Sequence, residues 1–400
     1  MNRAPASSVV FIHDHCFRMD AEGTVYSEGK ITDAVIARLH PLAQEVVIVS
    51  RLQAAEDTTG LVALKDRRIR MAPVCGNGFS RVFGRSIFAN AVHLWREIGS
   101  ARFVVLRLPC LLSVLAAPVL WLRSVPYAVE IVGFPREGLS SKGDGIAIRG
   151  LGKFLHLLTA RLASRAEGAL YVTQNALQKV FPTRGVSVAA SNVELPLPPV
   201  DIDGQDIAPL KDTVCIGLIG TMATNYKGID VAIRAIAELS QQGYNCELHV
   251  LGSGDTDLFR RLACDLGCAD SVIFDGIRQG GAEVAAWLDD MDIYIQPSRT
   301  EGLPRALVEA MSRGLPAVAS KVGGIPELLE DQWLVPAGEP APLAARLRQL
   351  IDDETLRDQA RKANARRAID YSAPVLRKRR DDFYLALARS LDNVTADSPR

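Results

Sequence analysis

Two glutamates that flank a helix start are the residues of this chain best spaced for chemistry. Glu301 and Glu309 lie eight positions apart across the predicted start of a helix, whose end is marked by Gly314 and Pro316. Pro304 suits the first helical position, because its missing N–H has no helical partner there. A helix N-terminus offers free N–H groups and about half a positive charge to an anion, and Glu309 stands roughly 8 Å farther up the helix. This arrangement suits a ligand with hydroxyl groups at both ends and a diphosphate between them, such as a nucleotide sugar.

A glycine-rich turn with a lysine is the second candidate for phosphate binding. Residues 215–239 read as a strand that ends near Gly220 and a helix that begins near Gly228, with Lys227 just before it. Glycine allows close approach to the backbone, and lysine can reach a diphosphate as a point charge. A solvated loop lysine is the alternative interpretation.

Strands and helices alternate along the chain, which predicts an α/β fold with two Rossmann-like, doubly wound domains. The domains are predicted over 1–198 and 199–373, and a charged helix over 374–400 closes the chain. Ligands bind at the carboxyl edges of such sheets, so we expect a central cleft between the domains. The predicted strands include 8–12, 46–50, 103–107, 128–132, 168–173, 246–251, 272–274, 293–296 and 317–320. The predicted helices include 32–39, 86–98, 148–165, 228–241, 257–266 and 281–288.

The charges are balanced overall but unevenly distributed. The first 200 residues carry 23 Lys and Arg against 15 Asp and Glu, and the second 200 carry 23 against 31. A basic first half suits an anionic surface, although chance asymmetry of solvated faces gives the same count. A nucleic-acid partner is not expected, because no dense basic stripe with interleaved aromatic residues is present.

Cysteine usage and hydropathy indicate a cytoplasmic protein. The seven cysteines include no Cys-x-x-Cys pair, which favours reduced thiols. The opening residues contain too short an apolar run for a signal peptide, and the longest apolar segment, 108–122, is shorter than the ~18–20 residues of a membrane span. The predicted helix over 148–165 has basic residues beside an apolar face. It is either a core helix with a basic solvent face or a contact with a membrane surface.

The segment 298–330 resembles the glutamate–seven residues–glutamate motif of retaining GT-B glycosyltransferases of family 4, the glycosyl transferases group 1. The resemblance implies that Glu301 binds the donor sugar and Glu309 binds the ribose. The usual Gly-aromatic-Gly of the family reads Gly302-Leu303-Pro304 here. Because proline has no N–H to donate, phosphate contacts are expected from the neighbours Leu303, Arg305 and Ala306.

The segment 215–239 resembles the Gly-Arg–loop–Lys-Gly segment of the same family. The family lysine matches Lys227, after the Gly220 turn, but Thr221 stands where the family has its arginine. Arg305 or Arg278 could compensate for the missing cation. Residues 272–279 match the turn that meets the nucleotide base, so Ile277 and Arg278 are candidates for base contact.

The first half resembles a branch of the family that makes surface polysaccharides. The resemblance lies in 107–110, 126–137 and 171–182, although Phe134 stands where that branch often has an aspartate. The candidates on the acceptor side are His13, Gly29, Glu130, Gly133, Arg136 and Thr173. His13, His15 and Cys16 have the residue types of a metal site, but no second cluster completes it and the family is metal-independent. No metal is therefore expected there.

The resemblance implies retaining transfer of a sugar from a nucleoside-diphosphate donor to a glycan or lipid-linked acceptor, with no cofactor and no metal. It also implies that Lys227 and Glu301 act in catalysis and that the C-terminal helix returns to the first domain. Two alternatives stay open: a sugar-nucleotide epimerase of the same fold, and a non-catalytic nucleotide-sugar sensor or assembly scaffold.

Overall fold

The computed structural model of the protein describes the chain as two compact units. The described residues are 8–28, 31–76, 81–135, 146–195, 199–202, 204, 207 and 209–396. The first unit draws on Met1–Val172, Leu177–Ala190 and Lys378–Arg400, and the second on Thr173–Ala176 and Ser191–Arg377. Each unit therefore combines segments that are distant in sequence.

Strands and helices alternate along most of the chain. The strands are β1 (Ser8–Met19), β2 (Val25–Ser27), β3 (Glu45–Ala54), β4 (Val62–Ala63), β5 (Ile69–Met71), β6 (Phe103–Leu108), β7 (Tyr127–Ile131), β8 (Gly168–Tyr171), β9 (Val186–Ala189), β10 (Val214–Ile219), β11 (Cys246–Leu251), β12 (Val272–Gly276), β13 (Ile293–Gln296), β14 (Ala317–Ser320) and β15 (Leu334–Val335). The helices are α1 (Asp33–Ala37), α2 (Ile87–Ser100), α3 (Ser113–Arg123), α4 (Ile146–Arg165), α5 (Ala176–Val180), α6 (Ile229–Gln241), α7 (Asp257–Asp265), α8 (Ala282–Asp289), α9 (Arg305–Ser312), α10 (Pro340–Asp352), α11 (Glu354–Ala368) and α12 (Ala373–Ala396).

The sheet of the first unit is mainly parallel. Its strand order is β4-β2-β1-β6-β7-β8-β9, and β3 pairs with both β1 and β5. Strand β1 is longer than the predicted 8–12, because its pairing with β3 resumes after a register shift between Ile12 and Cys16. The short strands β2 and β4 pair antiparallel at one edge.

Helices cover both faces of this sheet, so its central strands are apolar on both sides. Val10 and Ile12 of β1 belong to one buried cluster, whereas Val9 and Phe11 belong to another. The second cluster includes Phe383 from α12. A Cβ at Gly168 in β8 would lie 2.9 Å from the Phe383 ring, so the glycine makes room for this helix.

The sheet of the second unit is entirely parallel, with strand order β12-β11-β10-β13-β14-β15. The chain runs outward from β10 to β11 and β12, then returns to β13 on the other side of β10. The sequence of strands thus reverses between β10 and β13. Doubly wound sheets bind ligands beyond the carboxyl ends of the strands at such a switch point.

Helix α9 begins beyond the carboxyl end of β13. Pro304 is its N-cap and not its first helical residue as predicted, because its ψ of 116° is extended while its carbonyl already accepts the Val308 N–H. The helix ends in a Schellman motif. Gly314 has φ +72°, and the Leu315 N–H donates to the carbonyl of Ala310 at 3.2 Å.

The apolar segment 108–122 contains the last residue of β6, the turn that follows it and most of helix α3. Across the described residues, we find no helix whose length and hydropathy would let it traverse a bilayer.

Candidate active site

A buried ion pair lies beyond the carboxyl ends of β10 and β13. The Lys227 Nζ is 2.7 Å from Glu301 Oε1, and the two side chains are only 14% and 9% exposed. Ser298 Oγ donates to the same oxygen at 2.8 Å, and Gln296 Nε2 does so at 3.2 Å. No described residue donates to Glu301 Oε2. One carboxylate oxygen is therefore anchored by the protein, and the other remains available to a ligand.

Lys227 is held by a short 3-10 turn, Asn225–Lys227, that packs directly on the chain after β13. Gly228 has φ +71°, and a Cβ there would lie 2.0 Å from the carbonyl oxygen of Pro297. Arg299 binds both carboxylate oxygens of Asp230, at 2.8 and 2.7 Å. This bidentate pair fixes the turn relative to the segment that carries Glu301.

Gly220 also takes part in positioning the lysine. A Cβ at Gly220 would lie 2.8 Å from Lys227 Cγ, so the glycine leaves space for the lysine stem. Thr221, where the family has arginine, uses its hydroxyl inside the loop: it donates to Ser253 O at 3.1 Å and accepts from Ala223 N at 3.2 Å. Thr221 therefore stabilises the loop and supplies no positive charge.

A second glycine turn supports the segment that carries Glu301. A Cβ at Gly323, which has φ +54°, would lie 1.7 Å from the carbonyl oxygen of Glu301. The Gly324 N–H donates to Gly302 O at 2.7 Å. This contact joins segments that are distant in sequence and could not be predicted from local residue patterns.

The start of α9 offers unpaired donors beside Glu301. No described residue accepts from the backbone N–H groups of Leu303, Arg305 and Ala306. Arg305 is exposed in the first turn. These are the groups that the sequence predicted for phosphate binding, and the geometry leaves them free to bind it.

Glu309 lies one turn farther along α9. Its side chain is half-buried, and no described residue donates to it or forms an ion pair with it. Burial raises the pKa of Glu309, and only nearby Arg305 opposes this. A carboxylate that is partly desolvated and has no partner is suited to bind a ligand hydroxyl.

The predicted base contacts lie apart from this cluster. Ile277 and Arg278 follow β12, two strands away from β10, which corresponds to roughly 10 Å at ~4.8 Å per strand. Both side chains are exposed. No contact joins them to Lys227 or Glu301.

The acceptor-side candidates have different environments. Gly29 and Arg136 lie outside the described residues. Gly133 has open space where a Cβ would point. His13 Nδ1 accepts the His15 N–H at 3.1 Å, and burial, reinforced by Arg107, lowers the pKa of His13 to about 3. His13 is therefore neutral near pH 7.

Glu130 is a structural residue, contrary to the interpretation that it contacts an acceptor. Its buried carboxylate binds Arg38 at 2.8 Å and Arg107 at 2.9 Å and accepts the hydroxyl hydrogen of Tyr384 from α12. Burial alone would raise the pKa of Glu130, but the two arginines keep it below its usual value. All of these groups belong to the first unit.

Thr173 groups with the second unit, although the first domain was predicted to extend to residue 198. The reason is Glu327, whose carboxylate accepts the backbone N–H of Asn175 at 2.7 Å and those of Gln174 and Ala176. Thr173 itself is buried, and its methyl group lies 3.1 Å from where a Cβ of Gly324 would be.

Part of the second unit matches a known protein family. Residues 213–353 match the family described as glycosyl transferases group 1. This part of the chain is similar to glycosyl transferases group 1. The match contains Lys227, Glu301 and Glu309, so the matched segment holds the whole cluster described above.

Curated relatives extend the likeness beyond this segment. Protein CapJ of Staphylococcus aureus is 32% identical over 266 residues, which are 65% of this chain and 64% of CapJ. The putative colanic acid biosynthesis glycosyltransferase WcaL of Salmonella typhimurium is 36% identical over 39% of this chain and 41% of WcaL. The chain thus spans less than two thirds of the length of either relative.

A solved structure establishes the fold. The Anabaena protein Alr3699/HepE, in complex with UDP, aligns with 97% of this chain and 100% of its own at a TM-score of 0.60 and 16% identity. The prediction of a GT-B fold is confirmed.

Proposed function

We propose that this protein is a retaining glycosyltransferase that moves a sugar from a nucleoside-diphosphate donor to a glycan or lipid-linked acceptor. The observation that carries the proposal is the Lys227–Glu301 ion pair beside the unpaired N–H groups of α9 and the partnerless Glu309. These groups offer a cation and N–H donors for a diphosphate, with a carboxylate on each side for hydroxyl groups.

Each group has a role in binding the donor. Glu309 accepts hydrogen bonds from the ribose, and Glu301 Oε2 accepts from hydroxyl groups of the sugar. Lys227 and the N–H groups of Leu303, Arg305 and Ala306 bind the diphosphate. The Arg305 side chain supplies the charge that Thr221 does not. Ile277 and Arg278 meet the base.

The reaction proceeds by electrostatic stabilisation of the leaving group. The bond between the anomeric carbon and the diphosphate oxygen breaks as the acceptor oxygen bonds to the same face of that carbon. The acceptor proton passes to the departing diphosphate, whose developing charge Lys227 and the α9 dipole stabilise. We propose that this step uses neither a metal nor a cofactor.

The first unit is proposed to bind the acceptor, with His13 and Gly133 as the described candidates, and α12 to complete it. The name of WcaL supports an acceptor in polysaccharide assembly. The protein is proposed to work in the cytoplasm on the inner face of the membrane, without a nucleic-acid partner.

An apolar surface on the first unit supports contact with a membrane. Phe88 of α2, Leu122 of α3 and Leu157 of α4 are 84%, 75% and 68% exposed. The three helices share one buried cluster and therefore cover the same side of the sheet. Exposed Arg149 and Lys153 on α4 add positive charge suited to anionic lipid.

A second candidate is a non-catalytic sensor or scaffold that binds nucleotide sugars. It is favoured by the Thr221 hydroxyl, which is occupied within its loop, and by Phe134, which packs against Phe181 at 6.2 Å between ring centroids. An epimerase of the same fold is the third, and it would turn over the donor without an acceptor.

A thermal-shift panel of UDP-, GDP-, ADP- and dTDP-sugars separates these functions when combined with a test for turnover. At 100 times its dissociation constant a ligand stabilises the protein by ~2.7 kcal/mol. One nucleotide class should stabilise wild type but should not stabilise Glu309→Ala. Glu301→Ala should still bind the nucleotide but should show no sugar transfer. Binding without turnover would favour the sensor, and sugar conversion without acceptor the epimerase. No binding by wild type, or equal activity of both variants with it, would contradict the site assignment.

A further inference from the structure

A thiol, a carboxylate and an imidazole converge near the amino ends of β10 and β11, away from the site described above. One potential ligand atom from each of Cys215, Glu247 and His249 lies within 4.8 Å of the other two. Cys215 pairs directly with Glu247, and Gly217 pairs with His249, so the three side chains share one face of the sheet. Cys215 lies five residues before Gly220, which directly follows β10, and this corresponds to about 16 Å at ~3.3 Å per residue.

The imidazole is oriented by a carboxylate behind it. His249 Nδ1 lies 3.1 Å from Asp275 Oδ2, and the same oxygen accepts from Trp287 Nε1 at 2.9 Å. Since an ionised carboxylate can only accept, Nδ1 carries the proton and Nε2 presents its lone pair. A histidine whose second ring nitrogen is held by a carboxylate is the usual arrangement at protein zinc sites.

His249 Nε2 is buried, and among the described residues it has no hydrogen-bond partner. It lies 3.4 Å from Glu247 Oε2, which is too far for a strong hydrogen bond. Two ligand atoms on a tetrahedral zinc ion, with bonds of about 2.0–2.1 Å, are about 3.4 Å apart. The separation therefore fits two ligands of one ion.

Gly217 allows this arrangement to form. A Cβ at Gly217 would lie 2.8 Å from Met291 Cγ and 3.1 Å from the Trp287 ring. The absent side chain leaves room for the indole, which holds Asp275 in place for His249. The support for the imidazole thus extends through three elements: β10, α8 and β12.

The electrostatic surroundings favour a cation. The carboxylates of Asp292 and Glu247 bring negative charge to the Cys215 side chain, and the positive charge of Lys211 opposes them. Glu247 is 38% exposed, which gives an ion a route from solvent. A thiol, an imidazole and a carboxylate together are typical zinc ligands.

We propose that Cys215 Sγ, His249 Nε2 and a Glu247 carboxylate oxygen bind one Zn²⁺ ion, with water as the fourth ligand. Binding releases the thiol proton to solvent and joins β10 to β11 at the end of the sheet opposite the donor site. The ion stabilises the second unit and takes no part in sugar transfer. The inference does not depend on the proposed function.

The test uses the full chain stripped with a chelator and then titrated with Zn²⁺ in a competing metal buffer. Wild type should bind one ion tightly and gain thermal stability. With Co²⁺ it should develop a sulfur-to-cobalt charge-transfer band in the near ultraviolet. Cys215→Ser and His249→Gln should each lose stoichiometric binding and the stability gain, and Cys215→Ser should also lose the band. Asp275→Asn should bind about 10–100-fold more weakly.

Cys264→Ser is the matched control, because this exposed thiol lies outside the cluster. It should bind the metal as wild type does. Circular dichroism of the stripped variants establishes that each one folds. Unchanged stoichiometry in Cys215→Ser and His249→Gln, or no tight ion in wild type, would overturn the proposal.

Discussion

Lys227 and Glu301 form a buried ion pair, with Nζ 2.7 Å from Oε1. A donor diphosphate that binds Lys227 must share the lysine with this carboxylate. Ser298 and Gln296 already donate to Oε1, so the carboxylate stays hydrogen-bonded when the lysine moves. In the proposed function, the ion pair therefore positions the lysine ammonium for the diphosphate, and Glu301 keeps its two other hydrogen bonds when the lysine is shared.

Replacing Lys227 tests this relationship. Lys227→Ala should lower transfer by about 10²–10³-fold, because it removes the cation from the leaving group. It should also destabilise the protein by about 1–3 kcal/mol, because Glu301 is left buried without its counter-ion. Lys321→Ala is the control, because that lysine pairs with Asp331 at a surface where both side chains are more than half exposed. Measured kcat and urea unfolding that match wild type would contradict the role of the pair.

Glu309→Gln should affect the stability of the fold and the affinity for the nucleotide in different directions. The raised pKa of Glu309 means that the folded protein favours the protonated form, so stability from this group is present at low pH and is lost as pH rises through the folded-state pKa. At pH 7 the glutamine variant should therefore be at least as stable as wild type.

The same variant should bind the nucleotide about 10-fold or more weakly, because a charged acceptor for the ribose has become neutral. Thermal unfolding from pH 4 to 8 and nucleotide titration measure the two effects. Glu56→Gln, at an exposed position, is the control. A less stable variant with unchanged nucleotide affinity would contradict the assignment of Glu309.

Gly323→Ala should damage the site through the backbone. The new Cβ would meet the carbonyl oxygen of Glu301 at 1.7 Å, so the segment that carries the carboxylate must move. Gly338→Ala is a matched control: Gly338 also has positive φ, at +84°, but nothing lies within 4 Å of its Cβ position. Both variants bear the left-handed strain of about 1–2 kcal/mol, but only Gly323→Ala should also lose transfer. Equal activity of the two would show that the contact is not needed.

The exposed apolar surface of the first unit should govern membrane contact. A triple variant with serine at Phe88, Leu122 and Leu157 should bind anionic vesicles at least ~10-fold more weakly in co-sedimentation, because each residue no longer buries its apolar area in the interface. Binding by wild type should also fall as salt is raised. Leu258→Ser, at a residue of the second unit that is 66% exposed, is the control. Equal vesicle binding by the triple variant and wild type would show that this surface does not contact the membrane.

Much of the second unit could be predicted from the sequence. The strands at 246–251, 293–296 and 317–320 match their predictions at both ends, because each is a short run with buried apolar residues and a glycine or proline at one boundary. The spacing of Glu301 and Glu309 was sufficient to place them across one helix start, with Glu301 before the helix and Glu309 on it. Local patterns of this kind depend only on neighbouring residues.

Contacts between distant residues could not be predicted in this way. Glu130 was interpreted as a site residue because Arg38 and Tyr384, which neutralise and bind it, lie 92 and 254 positions away. The Arg299–Asp230 pair and the contact of Gly323 with Glu301 likewise join separate elements. Antiparallel β2 and β4 were missed because strands of two or three residues have too little pattern to be recognised.

Helix α12 contributes buried residues to the core of the first unit, although it follows the second unit in sequence. Phe383, Tyr384 and Leu387 are buried with Val9 and Phe11. During synthesis these residues leave the ribosome after the whole second unit, long after the sheet of the first unit has been made. The second unit, which ends at Arg377, can therefore complete its fold while the first still exposes an apolar face and an incompletely hydrogen-bonded Glu130. We expect the usual N-terminal-first order of domain folding to be reversed in this chain.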